Sequence, residues 1–257
     1  MHDTAMKYGQ AFFKTYIKDT KGLIIVDIGS QDVNGSLRTV APLGNDYIGV
    51  DFVNAKGVDV VINDPYSMPR QSDSVDVVVS SSCFEHSEFF WLLFNEALRI
   101  LKPKGLLYLN APSNGAFHRY PVDCWRFYPD SGLALQNWGK RSGYNCALLE
   151  SFVGVRDEYN WNDLVAVFVK DVAYANEYQG RIQNNQTTVT NGHVFNSDAI
   201  NNFCYDTNLD NAVRNLTREL VTANQRLNAL HASFSWKITE PLRIFRTFVN
   251  QFPKFFK

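Results

Sequence analysis

Three aspartates, each closing an apolar run, offer the most chemistry in this sequence. Asp27 sits in Val26-Asp27-Ile28-Gly29-Ser30-Gln31, Asp51 ends Tyr47-Ile48-Gly49-Val50-Asp51, and Asp64 lies in Asn63-Asp64-Pro65-Tyr66. An acidic side chain at a strand end, about 20 residues past a glycine turn, can accept hydrogen bonds from both hydroxyls of a ribose. Asp51 holds that place, with Phe52 beside it. Asp64, on a rigid turn near the expected adenine edge, can accept from an exocyclic amine. Any one of these aspartates would serve equally well as a turn or helix cap. Three at successive strand ends point to a ligand.

Gly29 lets the chain turn tightly after the first apolar run and admits a ligand close to the main chain. A dinucleotide turn needs Gly-x-Gly-x-x-Gly, but Gln31 and Asn34 stand at the second and third glycine positions. NAD is therefore disfavoured. S-adenosylmethionine has no phosphate, and Asp27, Ser30 and Gln31 supply polar groups suited to its amino and carboxylate ends.

A second dense segment runs from Ala111 to Pro129. Within it His118 is a candidate general base for an alcohol acceptor, which must lose a proton to react, with Asp123 orienting it or contacting the acceptor. Arg119 and Arg126 can bind an anionic group, and Tyr120 or Trp125 can stack on a sugar face. The competing reading is a loop held by an Arg-Asp pair and an aromatic cluster. Upstream, Ser80 to His86 is expected as a loop at a crevice edge, where Ser81 is a candidate cofactor contact and His86 a candidate base or acceptor contact. The plainer reading of His86 is a helix cap or a bond to Glu85. No ligand spacing supports a metal on His118 and Asp123, so none is expected.

The elements that must position these residues alternate compact β-branched runs with helical patterns, the rhythm of a parallel sheet wrapped by helices. Strands are predicted at Leu23 to Ile28, Tyr47 to Asp51, Val58 to Ile62, Val75 to Ser80, Gly105 to Asn110 and Leu164 to Lys170. Glu88 to Leu101 carries leucines near helical spacing and is stopped by Lys102-Pro103-Lys104-Gly105. Four regions follow: a helical segment over 1–21, an α/β domain over 22–172, a polar connector over 173–209 and a helical extension over 210–257. The connector is rich in Asn, Gln, Thr and Asp and reads as poorly packed. In the extension, Val213, Leu216, Leu220, Ala223, Leu227 and Leu230 follow three- and four-residue steps suited to a partner helix.

Taken in order, Val-Asp-Ile-Gly-Ser around Ile28, Tyr-Ile-Gly-Val-Asp ending at Asp51, Ser-Val-Asp-Val-Val-Val-Ser-Ser-Ser-Cys-Phe-Glu-His ending at His86 and Glu-Ala-Leu-Arg-Ile-Leu-Lys-Pro-Lys-Gly ending at Gly105 resemble the motifs of class I S-adenosylmethionine-dependent methyltransferases, type 11 in particular. The resemblance spans roughly Gly22 to Lys170. It implies a Rossmann-like, doubly wound, seven-stranded and mostly parallel sheet whose last strand inserts antiparallel. Two departures bear on loop detail: the glycine-rich turn keeps only Gly29 and a displaced Gly35, and Lys104 replaces a common glycine. Near the C-terminus, Ser233-Phe234-Ser235-Trp236-Lys237-Ile238-Thr239-Glu240-Pro241-Leu242-Arg243 is similar to an element of bacterial polysaccharide-assembly proteins. That resemblance implies an O-methyltransferase acting on a sugar hydroxyl during surface glycan biosynthesis. The alternatives are a small-molecule methyltransferase and a catalytically silent methyltransferase-like subunit that binds a glycan or an assembly partner.

The 257 residues carry a formal net charge of −1, so nothing global attracts nucleic acid. Cys83, Cys124, Cys146 and Cys204 are scattered without metal or disulfide spacing, which fits a reducing cytoplasm. Neither a signal peptide nor a membrane-spanning run is expected. From Ser235 to Lys257, Lys237, Arg243, Arg246, Lys254 and Lys257 interleave with Trp236, Phe245, Phe248, Phe252, Phe255 and Phe256. Such a tail suits peripheral contact with the inner face of a membrane or docking onto its own or another subunit.

Overall fold

The computed structural model describes residues 3–18, 20–154, 161–186, 188–205 and 208–251. Eight strands form one sheet: β1 (Ile24–Ile28), β2 (Asp46–Asp51), β3 (Val60–Val61), β4 (Val75–Ser81), β5 (Leu101–Pro112), β6 (Ala147–Gly154), β7 (Asp163–Val169) and β8 (Val189–Val194). Their spatial order is β3-β2-β1-β4-β5-β7-β6-β8. The first five pair in parallel, whereas β7 inserts antiparallel between β5 and β6. The strand order reverses at β1 and β4, so the loops after these strands diverge and open a crevice at their carboxyl ends.

Period-two alternation explains the two cores. Val26, Ile28, Val78, Leu107, Leu109 and Phe168 face one side, where α2 (Phe90–Ile100) and α3 (Ser131–Arg141) cover them. Ile25, Val77, Val79, Leu106, Tyr108 and Val167 face the other, under α1 (Asp3–Phe12) and its continuation Phe13–Ile17. The N-terminal helical segment is thus part of the core layer: Tyr8 and Phe12 are buried, and Tyr16 Oη donates to Glu150 at 2.7 Å.

Several boundaries differ from the sequence reading. Strand β5 begins at Leu101, before the expected stop signals, because fully buried Leu101 pairs with Val75. Strand β6 has Glu150 at its centre, which hides its apolar character. That carboxylate is buried yet satisfied, accepting from Tyr16 Oη, from Ile182 N at 2.6 Å and from Gln183 N and Nε2 at 3.2 Å. The stretch 173–209, expected as a poorly packed connector, instead supplies an eighth strand: β8 pairs antiparallel with β6 and buries Val189. Its amides account for the polar composition, since Gln183 Nε2 also donates to the His193 carbonyl and Asn201 Nδ2 donates to Gln183 Oε1.

Contacts divide the chain into two units, Met1–Cys204 and Tyr205–Lys257. Within the second are α4 (Asn208–Ala232), α5 (Phe234–Ile238) and α6 (Glu240–Gln251). Val213, Leu216, Leu220, Leu227 and Leu230 of α4 are exposed. Ser233 caps α5 by accepting from Trp236 N at 3.3 Å, and the Arg243 guanidinium lies 3.8 Å from the Trp236 ring centre. Pro241 stands in the first turn of α6, where its missing N–H costs nothing. Phe252, Lys254, Phe255, Phe256 and Lys257 lie outside the described residues. Among the described residues no helix is long and apolar enough to cross a membrane.

Candidate active site

At the end of β1 the chain turns at Gly29 with φ of +81°, and a Cβ there would stand 2.5 Å from Cys83 Cβ. Glycine is required on both counts. The turn is held by Gly29 N donating to Val50 O at 2.9 Å, so the ends of β1, β2 and β4 share one wall. They border a cleft of about 390 Å³.

Asp51 is 8% exposed on that wall, and among the described residues its carboxylate accepts two long bonds, from Gln31 N at 3.3 Å and Val53 N at 3.2 Å. Acceptor capacity remains for a ligand. Asp27 is more enclosed, taking Tyr47 Oη at 2.8 Å, and burial pushes its carboxyl up to about 7. Burial also raises Glu85 to about 8, with the negative charge of Asp163 acting in the same direction. Carboxylates Asp27, Asp51, Glu85 and Glu88 line the cleft, and no lysine or arginine does so among the described residues. Such a lining offers a phosphate no counter-charge.

The opposite end is imidazole-rich and aromatic. His86 and His118 meet edge to face with ring centres 4.9 Å apart, and His118 lies 5.1 Å from the Trp161 ring. Trp161 fits because Gly115 has no side chain: a Cβ there would stand 2.6 Å from the indole. Burial depresses the His86 imidazole below its ordinary range. The loop carrying His118 is fixed from below, since Cys124 N and Trp125 N donate to the Glu85 carbonyl at 2.8 and 3.2 Å.

Of the residues singled out by sequence, Asp27, Gly29, Ser30, Gln31, Asp51, Phe52, Ser81, His86, His118 and Tyr120 line one cleft. Asp64 does not: it is exposed and caps its own turn by accepting from Tyr66 N at 2.8 Å, while Pro65 and Tyr66 take the lining positions. Asp123 is also off the cleft lining. It accepts from His118 N at 2.7 Å and from both terminal nitrogens of Arg126 at 2.6 and 2.8 Å, which hold its carboxyl well below the usual carboxylate range. Asp123 and Arg126 therefore form the loop's internal brace. One link to the histidine side chain remains, with Asp123 Oδ2 3.4 Å from His118 Nδ1. Arg119 donates to Pro121 O, and Trp125 packs on Phe90 while its Nε1 donates to Ser87 O, so neither lines the cleft. Sequence reasoning missed Trp161 and the inward-facing Glu85. Glu85 carried a signal, its adjacency to His86; Trp161, just ahead of β7, carried none.

Residues 27–109 match the family described as methyltransferase domain. The chain is 31% identical over 130 residues to an uncharacterized methyltransferase of Mycobacterium leprae, covering 42% of this chain and 44% of that one. A Mycobacterium tuberculosis relative of the same description is 30% identical over 128 residues, covering 42% and 46%. The chain thus spans less than half the length of these curated relatives. Among solved structures, the Burkholderia thailandensis 1,6-didemethyltoxoflavin-N1-methyltransferase, which holds 1,6-didemethyltoxoflavin and S-adenosylhomocysteine, superposes with a TM-score of 0.52 at 14% identity. That match covers 66% of this chain and 79% of the other, and it establishes the shared fold.

Proposed function

We propose that this protein is an S-adenosylmethionine-dependent methyltransferase whose acceptor is a sugar hydroxyl. The observation that carries the cofactor is the acidic cleft at the strand ends, free of lysine and arginine among the described residues. S-adenosylmethionine is cationic at sulfur and at its amino group and has no phosphate, so it matches a wall that a dinucleotide would not. Asp51 would hold the ribose hydroxyls, the Gly29 turn would admit the methionine portion, and Ser30, Gln31 and Asp27 would meet its polar ends. Phe52, half exposed beside Asp51, offers a face to the adenine. When bound, the cofactor supplies an activated methyl carbon on a positively charged sulfur.

The protein's own task is then to position the acceptor oxygen and take its proton. His118 is proposed for the proton, braced through its backbone by Asp123, with His86 packed against it. Tyr120 and Trp161 border the same end and offer faces on which a sugar ring can stack. The glycan assignment draws further support from the Ser233 to Arg243 element. Calorimetry with S-adenosylhomocysteine and NAD tests the cofactor, and labelled methyl transfer to a panel of nucleotide sugars, lipid-linked chains and polymers tests the acceptor. Tight S-adenosylhomocysteine binding with no labelled glycan would reject the sugar assignment and favour a small-molecule enzyme or a silent subunit.

A further inference from the structure

We propose that Glu85, His86 and His118 bind one divalent transition-metal cation at the acceptor end of the cleft. The three residues line that cleft, and one ligand atom from each lies within 4.8 Å of the others. Glu85 and His86 come from the turn after β4 and His118 from the loop after β5, so only the fold brings them together.

Two further observations point to a ligand there. Glu85 is 1% exposed, and its Oε2 has no hydrogen-bond partner. A buried carboxyl oxygen left without a partner is costly, and a cation there would satisfy it. Its other oxygen is 3.7 Å from His86 Nε2, too far for a hydrogen bond. Both imidazoles are also held at Nδ1. His86 Nδ1 faces the Val122 carbonyl, and His118 Nδ1 is 3.2 Å from the Ala116 carbonyl. A carbonyl can only accept, so Nδ1 carries the proton and Nε2 keeps its lone pair. Metal-binding histidines are prepared in this way.

Two imidazoles and one carboxylate suit Zn²⁺, Fe²⁺, Co²⁺ or Mn²⁺ better than Mg²⁺ or Ca²⁺, which prefer oxygen shells. Bonds of about 2.0–2.2 Å would draw the ligand atoms closer and leave positions open for an acceptor hydroxyl. The catalytic role, though not the binding, rests on the methyltransferase reading. With the cation present, its charge acidifies the hydroxyl: the O–H bond breaks, the electron pair stays on oxygen and the proton passes to solvent water. His118 then serves as a ligand in place of a base.

The test uses full-length, metal-stripped protein titrated with Co²⁺ and read by visible absorption, with S-adenosylhomocysteine binding measured in parallel by calorimetry. One equivalent should bind, and Glu85→Gln and His118→Asn should each weaken it at least tenfold, while His118→Asn, at the acceptor end, retains S-adenosylhomocysteine affinity. His193→Asn is the control, because that imidazole pairs with Asp130 at 3.0 Å. Failure of Co²⁺ to bind, or binding by both cleft variants as tight as that of wild type, overturns the proposal and returns His118 to the role of base. Cation binding lost in both variants, in a protein that takes no S-adenosylhomocysteine, would uphold the metal site and reject the methyltransferase reading.

Discussion

Replacing Asp51 with asparagine tests the assigned cofactor orientation with the least disturbance of shape. The wild-type carboxylate spends part of its capacity on Gln31 N and Val53 N, at 3.3 and 3.2 Å, and still presents oxygen to the cleft. Asparagine keeps the volume but removes the charge and turns one acceptor into a donor. That donor must oppose either a backbone N–H or a ribose hydroxyl. One charge-assisted hydrogen bond is lost, worth about 1.5–3 kcal/mol, which corresponds to roughly 10- to 150-fold weaker binding. Calorimetry with S-adenosylhomocysteine reads the change directly, and ligand-induced thermal stabilisation should shrink by the same free energy. The matched control is Asp64→Asn, because exposed Asp64 only caps the turn at Tyr66. Its affinity should stay within about twofold of wild type, well below the loss of one such bond. If Asp51→Asn binds as tightly as wild type, the ribose lies elsewhere and the cofactor orientation argued above fails.

Three further outcomes are expected. Burial raises Asp27 to about 7 and Glu85 to about 8, whereas the unfolded chain ionises both near pH 4. Between roughly pH 4 and 8 the folded state therefore holds protons that the unfolded state has lost, and stability falls as pH rises. Asp27→Asn should flatten that fall, and melting curves of wild type and variant that run parallel from pH 5 to 9 would refute it. Gly29→Ala should destabilise by about 2–5 kcal/mol, combining left-handed strain with a clash into Cys83. Gly22→Ala, at φ of +74° with nothing within 4 Å, should cost only about 1–2 kcal/mol; equal losses in urea titrations would remove the clash. The tail, with Phe234, Ile238, Leu242 and Phe245 exposed beside its basic residues, should hold full-length protein on anionic liposomes in a salt-sensitive way. A chain ending at Phe234 should stay in the supernatant, and equal sedimentation of both would eliminate the anchor.

The parallel half of the fold was legible because its central strands are buried on both faces and read as nearly continuous apolar runs. Val75 to Ser81 and Ile24 to Ile28 are of this kind. The other half was not. In β6 the buried Glu150 breaks the run, and only the distant Tyr16, Ile182 and Gln183 show why a carboxylate can stand there. In β8 the pattern Val-Thr-Asn-Gly-His-Val looks like a loop, since edge strands need little apolar character on their outer side. Long-range hydrogen bonds rescue polar residues that local composition would assign to solvent.

The same division runs through the cleft. Its cofactor wall was readable because each contributor closes its own strand: Gly29 ends β1, Asp51 ends β2 and Ser81 ends β4, so position in sequence gives position in space. At the acceptor end, chemistry and position separate. Asp123, Arg126 and Trp125 have the residue types of a substrate site, yet a loop spanning 18 residues between β5 and α3 must satisfy its own backbone and charges before it can present anything. Asp123 braces His118 N and Arg126, and Trp125 closes over Phe90. What faces the cleft is what the brace leaves over: His118, Tyr120, Pro121 and Val122, joined by Trp161 from just ahead of the neighbouring strand β7. A polar residue in such a loop is therefore better judged by what else nearby could satisfy it. Glu85 passes that test where Asp123 fails it, because Asp123 already accepts from His118 N and from both terminal nitrogens of Arg126, and Glu85 Oε2 has no donor among the described residues.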